Sequence, residues 1–314
     1  MAFDGIVVAN LVHELKEQLL NGRIAKIAQP EADELLLTIK SPKGQRRLSI
    51  SASASLPLIY LTDANKPSPM TAPNFCMLLR KHIANGRIVD IWQPKLERII
   101  HFTIEHLDEL GDLCRKDLIV EIMGKHSNII FCTSEGMIID SIKHISAQVS
   151  SVREVLPGRE YFIPQTACKL NPLEAGEEEM AAVMAQAPEP VGKALYSHFT
   201  GISPVMAEEF CHLASIESSI PAAELSEAER IHLSRTFSLA MESVKGGQFS
   251  PCILYKGEEP VEFSALAFTA LPADCCLKEF SSMSQVLETY YASKNVITRI
   301  RQKSSDLRRI VQTA

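Results

Sequence analysis

The chain has 314 residues, 46% hydrophobic and 22% charged, with 14 Gly, 17 Pro and a net charge of −6. That length suits two or three domains, and the composition excludes collagen-like, disordered and disulfide-scaffold chains. No apolar run reaches the ~18 residues of a membrane span. The start, Met1-Ala2-Phe3-Asp4-Gly5, lacks a basic stretch and a small-residue cleavage site, so a cytoplasmic chain with no membrane partner is expected.

The charge is uneven. Residues 1–160 balance, 161–280 carry net −10 and 281–314 net +4. Bulk charge therefore argues against a general polyanion binder, and any nucleic-acid contact needs a local basic surface. The eight cysteines (Cys76, Cys114, Cys132, Cys168, Cys211, Cys252, Cys275 and Cys276) form no CxxC pair and no zinc-ligand spacing, so reduced, mostly buried thiols and no metal are expected.

An internal repeat organises the first half. Leu20-Asn-Gly-Arg-Ile-Ala-Lys-Ile-Ala-Gln-Pro30 recurs 64 residues on as Ala84-Asn-Gly-Arg-Ile-Val-Asp-Ile-Trp-Gln-Pro94. An amphipathic helix precedes each copy, marked by Leu11, Leu15 and Leu19, then by Phe75, Leu79 and Ile83. Gly22 and Gly86 stand where a helix ends in a left-handed residue. Alternating patterns predict strands at Glu34–Lys40, Arg46–Ser51, Leu58–Thr62, Arg98–Glu105, Asp117–Met123, Asn128–Cys132 and Met137–Ile142. With the repeats this makes roughly nine strands, expected as two packed, mainly antiparallel sheets with a helix on each half.

Past Pro157-Gly158 a Pro-rich connector leads into an acidic stretch, Glu174 to Glu179. Helical patterns at Val191–Phe199 and Val205–Ala214 flank Thr200-Gly201-Ile202-Ser203-Pro204, the layout of a helix-hairpin-helix. Such a turn binds backbone phosphates when its N–H groups point outward, although here Ser203 replaces the second turn glycine; a plain helix pair reads equally well. Ser226 and Glu229 have capping-box spacing at the head of a helix over 226–245 that Gly246-Gly247 ends. Short strands are predicted at Cys252–Tyr255 and Val261–Phe268. From 283 to 314 there is no Gly or Pro. Val286, Tyr290, Ser293, Ile297, Ile300, Ser304, Leu307, Val311 and Ala314 step by four and three, a heptad seam without a stop signal. Such a seam needs a partner helix, so either the chain dimerises here or a coiled coil is cut within its length, the latter being the expectation.

Several phrases together resemble the NFACT family of ribosome quality control factors, which also takes in chains described as fibronectin-binding. They are Phe3-Asp4-Gly5, Asn21-Gly22-Arg23-Ile24, Phe75-Cys76-Met77-Leu78-Leu79-Arg80-Lys81, Leu96-Glu97-Arg98-Ile99, Glu121-Ile122-Met123-Gly124-Lys125-His126-Ser127-Asn128, Asp140-Ser141-Ile142-Lys143 and Leu156-Pro157-Gly158. The turn Gly201-Ile202-Ser203 matches too. The likeness spans the chain in order, and the 121–128 phrase is its most specific part. It implies an α+β chain in four parts. Residues 1–165 form a two-sheet β-sandwich domain like the N-terminal domain of Fpg/Nei glycosylases, and 174–223 a helix-hairpin-helix domain. A helix with short strands fills 224–280, and 281–314 begin a long coiled coil. It also implies a non-enzymatic factor without cofactor. That factor binds the large (50S) ribosomal subunit carrying peptidyl-tRNA and recruits charged tRNA, alanyl-tRNA in bacteria, for C-terminal tailing without mRNA.

The family's tRNA-linked residues map onto Asp4, Glu97, Arg98 and Glu121-Ile122-Met123. The family usually has Asp where this chain has Glu97, one methylene longer. From the residues themselves, Arg98 could clamp a phosphate, stack on an unpaired base, or pair with Glu97 at the surface. Asp4 reads also as a helix N-cap. Lys125, His126, Ser127 and Asn128 form a donor-rich loop that suits RNA sugar or phosphate, or a self-satisfied turn. Two other classes are set against this reading. A glycosylase needs an N-terminal Pro nucleophile, where this chain has Ala2 and Phe3. A fibronectin-binding adhesin needs export, for which no signal is seen.

Overall fold

The computed structural model describes residues 3–164 and 168–295. Helix α1 (Gly5–Leu19) leads into strands β1 (Arg23–Glu31), β2 (Glu34–Ser41), β3 (Gly44–Ala52) and β4 (Pro57–Thr62). Helix α2 (Asn74–Ile83) leads into β5 (Arg87–Trp92), β6 (Ile99–Leu107), β7 (Leu113–Glu121), β8 (Asn128–Thr133) and β9 (Ile138–Ser141). The α+β class and the helix-then-strands order of each copy hold. The two sheets are corrected to one continuous antiparallel sheet, in the order β4-β3-β2-β1-β5-β6-β7-β8-β9.

The repeat explains the join. β1 meets β5 at a single register pair, Arg23 with Arg87. Around it the hydrogen bonds are reciprocal. Ile24 N–H donates to Gly86 O (3.0 Å) and Ile88 N–H to Gly22 O (2.9 Å); Asn21 N–H donates to Ile88 O (2.8 Å) and Asn85 N–H to Ile24 O (2.9 Å). Each bond maps onto its mate when the copies are exchanged, so the duplicated segment is a pseudo-twofold seam. The helices cross it too, α1 lying on β5 and α2 on β1. From so narrow a seam the two wings fold over a shared core, which takes Leu48 and Ile50 from β3 and Leu118 and Val120 from β7.

The left-handed residues at the helix ends are Asn21 (φ 64°) and Asn85 (φ 60°), not the expected glycines. Asn tolerates this region because its short polar side chain bonds locally. Gly22 and Gly86 serve close approach instead. A Cβ on Gly22 would lie 2.7 Å from Ile39 Cγ2 and 2.8 Å from Leu19 O; on Gly86 it would lie 2.7 Å from Ile104 Cγ2 and 3.0 Å from Ile83 O.

The second half packs on the same core. Helix α3 (Glu177–Gln186) grows out of the acidic stretch, and Glu177, Glu178 and Glu179 in its first turn favour a helix N-terminus. It is followed by α4 (Val191–His198), α5 (Pro204–Leu213) and α6 (Glu227–Lys245), the last opened by the Ser226/Glu229 capping box. A small sheet, β11-β10-β12, holds β10 (Cys252–Lys256) between β11 (Glu259–Ser264) and β12 (Cys275–Glu279). A last helix, α7 (283–295), reaches the end of the described residues. The first expected seam positions pack inward: Val286 is buried, and Tyr290 meets Phe263 edge-on and donates to Val261 O (3.2 Å). The seam from Ile297 to Ala314 lies outside the described residues.

Candidate nucleic-acid interface

Four segments meet at one end of the β5–β8 wing. β5 ends at Trp92, β6 opens at Ile99, β7 ends at Glu121, and a 3-10 turn (Gly124–His126) leads into β8 at Asn128. Loops 93–98 and 122–127 are therefore neighbours, and Ile122 N–H donates to Arg98 O (2.9 Å). The start of α1 docks on the first loop: Gln93 Nε2 donates to Gly5 O (2.9 Å) and to Glu97 O (2.7 Å). The α4–α5 turn docks on α1, with Gly5 N–H donating to Gly201 O (2.9 Å). This meeting needs two glycines. A Cβ on Gly5 would sit 2.0 Å from Leu96 O, and one on Gly201 (φ +76°) 2.1 Å from the same oxygen.

Asp4 sits at the junction and is buried. Its carboxylate caps α1, accepting from Ile6 N–H (3.0 Å) and Val7 N–H (2.9 Å), and also accepts from Ser203 Oγ (2.7 Å). The N-cap reading thus holds, at a typical worth of ~1 kcal/mol. Burial pushes the Asp4 carboxyl up to about 6, although the donors pull it down. Glu97 and Arg98 are half-buried beside it. Burial lowers the Arg98 guanidinium, while the charges of Glu97 and Asp4 hold it up. Burial raises the Glu97 carboxyl, and Lys95, Arg98 and Lys169 oppose that. The structure so brings together Asp4, Glu97 and Arg98, and adds Lys169, which donates to Tyr196 O (2.7 Å).

The 121–128 phrase divides by face. Glu121 is wholly buried, ion-paired to Arg153 Nη2 and accepting from Tyr161 O–H (2.9 Å). Burial, with Glu121 adjacent, pushes the Tyr161 hydroxyl far up, so it stays a donor. Ile122 is buried in the main core. Ser127 Oγ accepts from Met123 N–H (2.8 Å), and Asn128 ties β8 to residue 143, donating to Lys143 O (2.9 Å) and accepting from Lys143 N–H (3.1 Å). These buried groups build the loop. Met123 is half-buried, and Lys125 and His126 are exposed.

In the α4–α5 turn, where a helix-hairpin-helix is expected from the sequence, Ile202 and Ser203 are buried and Gly201 is half-buried. The turn is therefore a packing surface for Asp4, Gly5 and Leu96. Lys95 and Lys125 are exposed on these two loops, and Lys169 lies near Glu97 with Arg98.

Several contributors escaped the sequence reading. Arg153 and Tyr161 lie 32 and 40 residues from Glu121, with no pattern linking them. Gln93 was visible as a repeated residue. Its counterpart Gln29 likewise donates to the following turn, at Ala32 O (3.1 Å). Trp92 was visible as the single tryptophan. Among the described residues no three His, Cys, Asp or Glu side chains gather to hold a metal, and no helix is long and apolar enough to cross a membrane.

The duplicated antiparallel sheet with its appended helices places the chain in a known class. The family model described as NFACT N-terminal and middle domains matches residues 4–314, and the chain belongs to that family. The Rqc2 homolog RqcH of Bacillus subtilis (strain 168) is 36% identical over 313 residues, 99% of this chain and 52% of that protein. The Homo sapiens ribosome quality control complex subunit NEMF is 22% identical over 315 residues, 92% of this chain and 28% of that protein. The N-terminal structure of the fibronectin/fibrinogen-binding protein from Streptococcus suis superposes with a TM-score of 0.77 at 31% identity, covering 92% of this chain and 99% of that one. The chain spans about half the length of the bacterial relative it matches.

Proposed function

We propose that this chain is the RNA-docking half of a ribosome quality control factor. It holds tRNA on a large ribosomal subunit that still carries peptidyl-tRNA, and in the whole protein it helps recruit charged tRNA, alanyl-tRNA in bacteria, for C-terminal tailing. It works by shape and charge, and no side chain of the site breaks a covalent bond. Family membership and the name of the human relative support the ribosomal role. The observation that carries the RNA reading is the half-buried Arg98 at this end of the sheet, near the charges of Glu97 and Asp4. A guanidinium suits a phosphate or the face of an unpaired base. The remaining cations fit phosphate contacts that position without reading sequence.

The test is recovery of the chain from lysate and sequencing of the bound RNA. Transfer RNA and large-subunit RNA are expected; recovery of neither overturns the proposal. A second reading, a fibronectin-binding surface adhesin, draws on the name of the Streptococcus suis protein. Direct binding to immobilised fibronectin, with most of the native protein in the cell-wall fraction, would favour it.

A further inference from the structure

Trp92 is the only tryptophan of the chain. It closes β5 opposite His101, its register partner on β6. The two rings stack, with centroids 4.0 Å apart and planes 21° from parallel. His101 is 6% exposed, and among the described residues neither of its ring nitrogens meets a hydrogen-bond partner. Tyr161 meets it in an edge-type contact, 6.0 Å away at 75°. Tyr161 is itself pinned by Glu121. The imidazole is thus a flat, fixed backing for the indole. Burial holds it down to about 4, so the backing carries no charge at neutral pH.

One indole face lies on His101, yet Trp92 remains 37% exposed. With one face taken by His101, the area left to solvent belongs to the rest of the ring. On the β1 side Trp92 has no register partner, because the β1–β5 pairing is confined to Arg23 and Arg87. Two cations lie close in the chain: Lys95 is three residues on, no more than about 11 Å of chain, and Arg98 stands just before β6, with Glu97 between them. An apolar protein partner would have to desolvate these charges. A polyanion with flat bases would use them.

We propose that the open face of Trp92, backed by His101, is a stacking platform for one unpaired nucleobase of a bound RNA, with Lys95 and Arg98 meeting adjacent phosphates. This rests on the RNA reading above and adds to it where a base is held. Every base has a π-face, so the platform is tolerant of sequence. It demands an unpaired base, because paired bases already stack on their neighbours. The paired form of the same RNA should bind through phosphates alone.

The single tryptophan makes the test direct. The chain is titrated with an RNA hairpin bearing an unpaired loop, and with a blunt duplex of the same sequence. Complex formation is followed by gel shift and Trp92 emission by fluorescence. The hairpin should quench emission with the same midpoint as the gel shift, and the duplex should shift the gel without quenching. Trp92→Ala should weaken hairpin binding roughly 5- to 150-fold, the range of one base–aromatic stack, and leave duplex binding unchanged. Trp92→Phe should stay within about threefold of wild type, which separates loss of stacking from loss of folding. If hairpin binds, emission is unchanged and Trp92→Ala binds as tightly as wild type, the platform is refuted and the RNA reading stands. If neither RNA shifts the gel, the RNA reading fails and the platform falls with it.

Discussion

Arg153→Ala strips the Glu121 carboxylate of its cation. Glu121 has a side chain 0% exposed and Arg153 one of 10%, so the charge left behind has no water to turn to. Breaking a buried pair from one side costs about 3–5 kcal/mol, whereas replacing both partners by neutral groups is often close to neutral. Here the lower end applies, near 3 kcal/mol, because the Tyr161 hydroxyl still donates to Oε1 at 2.9 Å. The double variant Glu121→Gln/Arg153→Met keeps an acceptor for Tyr161, buries no charge and should cost less than about 1.5 kcal/mol. Urea denaturation followed by Trp92 emission reads this wing, since Trp92 stacks on His101 and His101 meets Tyr161 edge-on. A single variant within about 1 kcal/mol of wild type, or a double variant as weak as the single, would show that Glu121 is not held as a buried carboxylate.

By the pseudo-twofold seam, Gly22→Ala and Gly86→Ala should destabilise alike, each by about 1–3 kcal/mol, because the added methyl meets a helix-end carbonyl and an Ile side chain; thermal melts that separate the two widely would break the symmetry argument. Asp4 has a folded carboxyl raised to about 6 from 3.8, so the stability tied to its protonated form is whole below about pH 4 and lost as pH rises through 6. Asp4→Asn removes that dependence. Wild-type stability should therefore fall relative to the variant by up to about 3 kcal/mol over this interval and run level above about pH 7, and a flat difference refutes the assignment. Arg98→Ala, at a half-buried position, should leave the chain folded at a cost of about 0.5–3 kcal/mol, and cut tRNA recovery by about tenfold, as loss of one charge-assisted contact does; unchanged recovery counts against the site.

The sequence alone carried what depends on neighbours within a turn or a strand. The Leu11/Leu15/Leu19 and Phe75/Leu79/Ile83 spacings placed the two helices, Asp4 and Ser226 marked caps, and alternation placed β2, β3, β4, β6, β7 and β8. The repeat at 64 residues also announced two equivalent halves. It did not announce that the repeated segment pairs with itself. That pairing welds the wings into one sheet and puts the left-handed turn on Asn21 and Asn85, so the glycines answer to Ile39 and Ile104 across the sheet. The fate of the 121–128 phrase was equally hidden. Glu121 and Asn128 look like polar loop ends in one dimension, and only the return of 137–163 over the outer face, bringing Arg153, Tyr161 and Lys143, buries them. Local patterns report which side of a helix or strand seeks water's absence, because that choice repeats every 3.6 or two residues. Which distant surface supplies the partner is set by how whole elements pack. For that reason the meeting of loops 93–98 and 122–127 and the stack of Trp92 on His101 exist only in three dimensions.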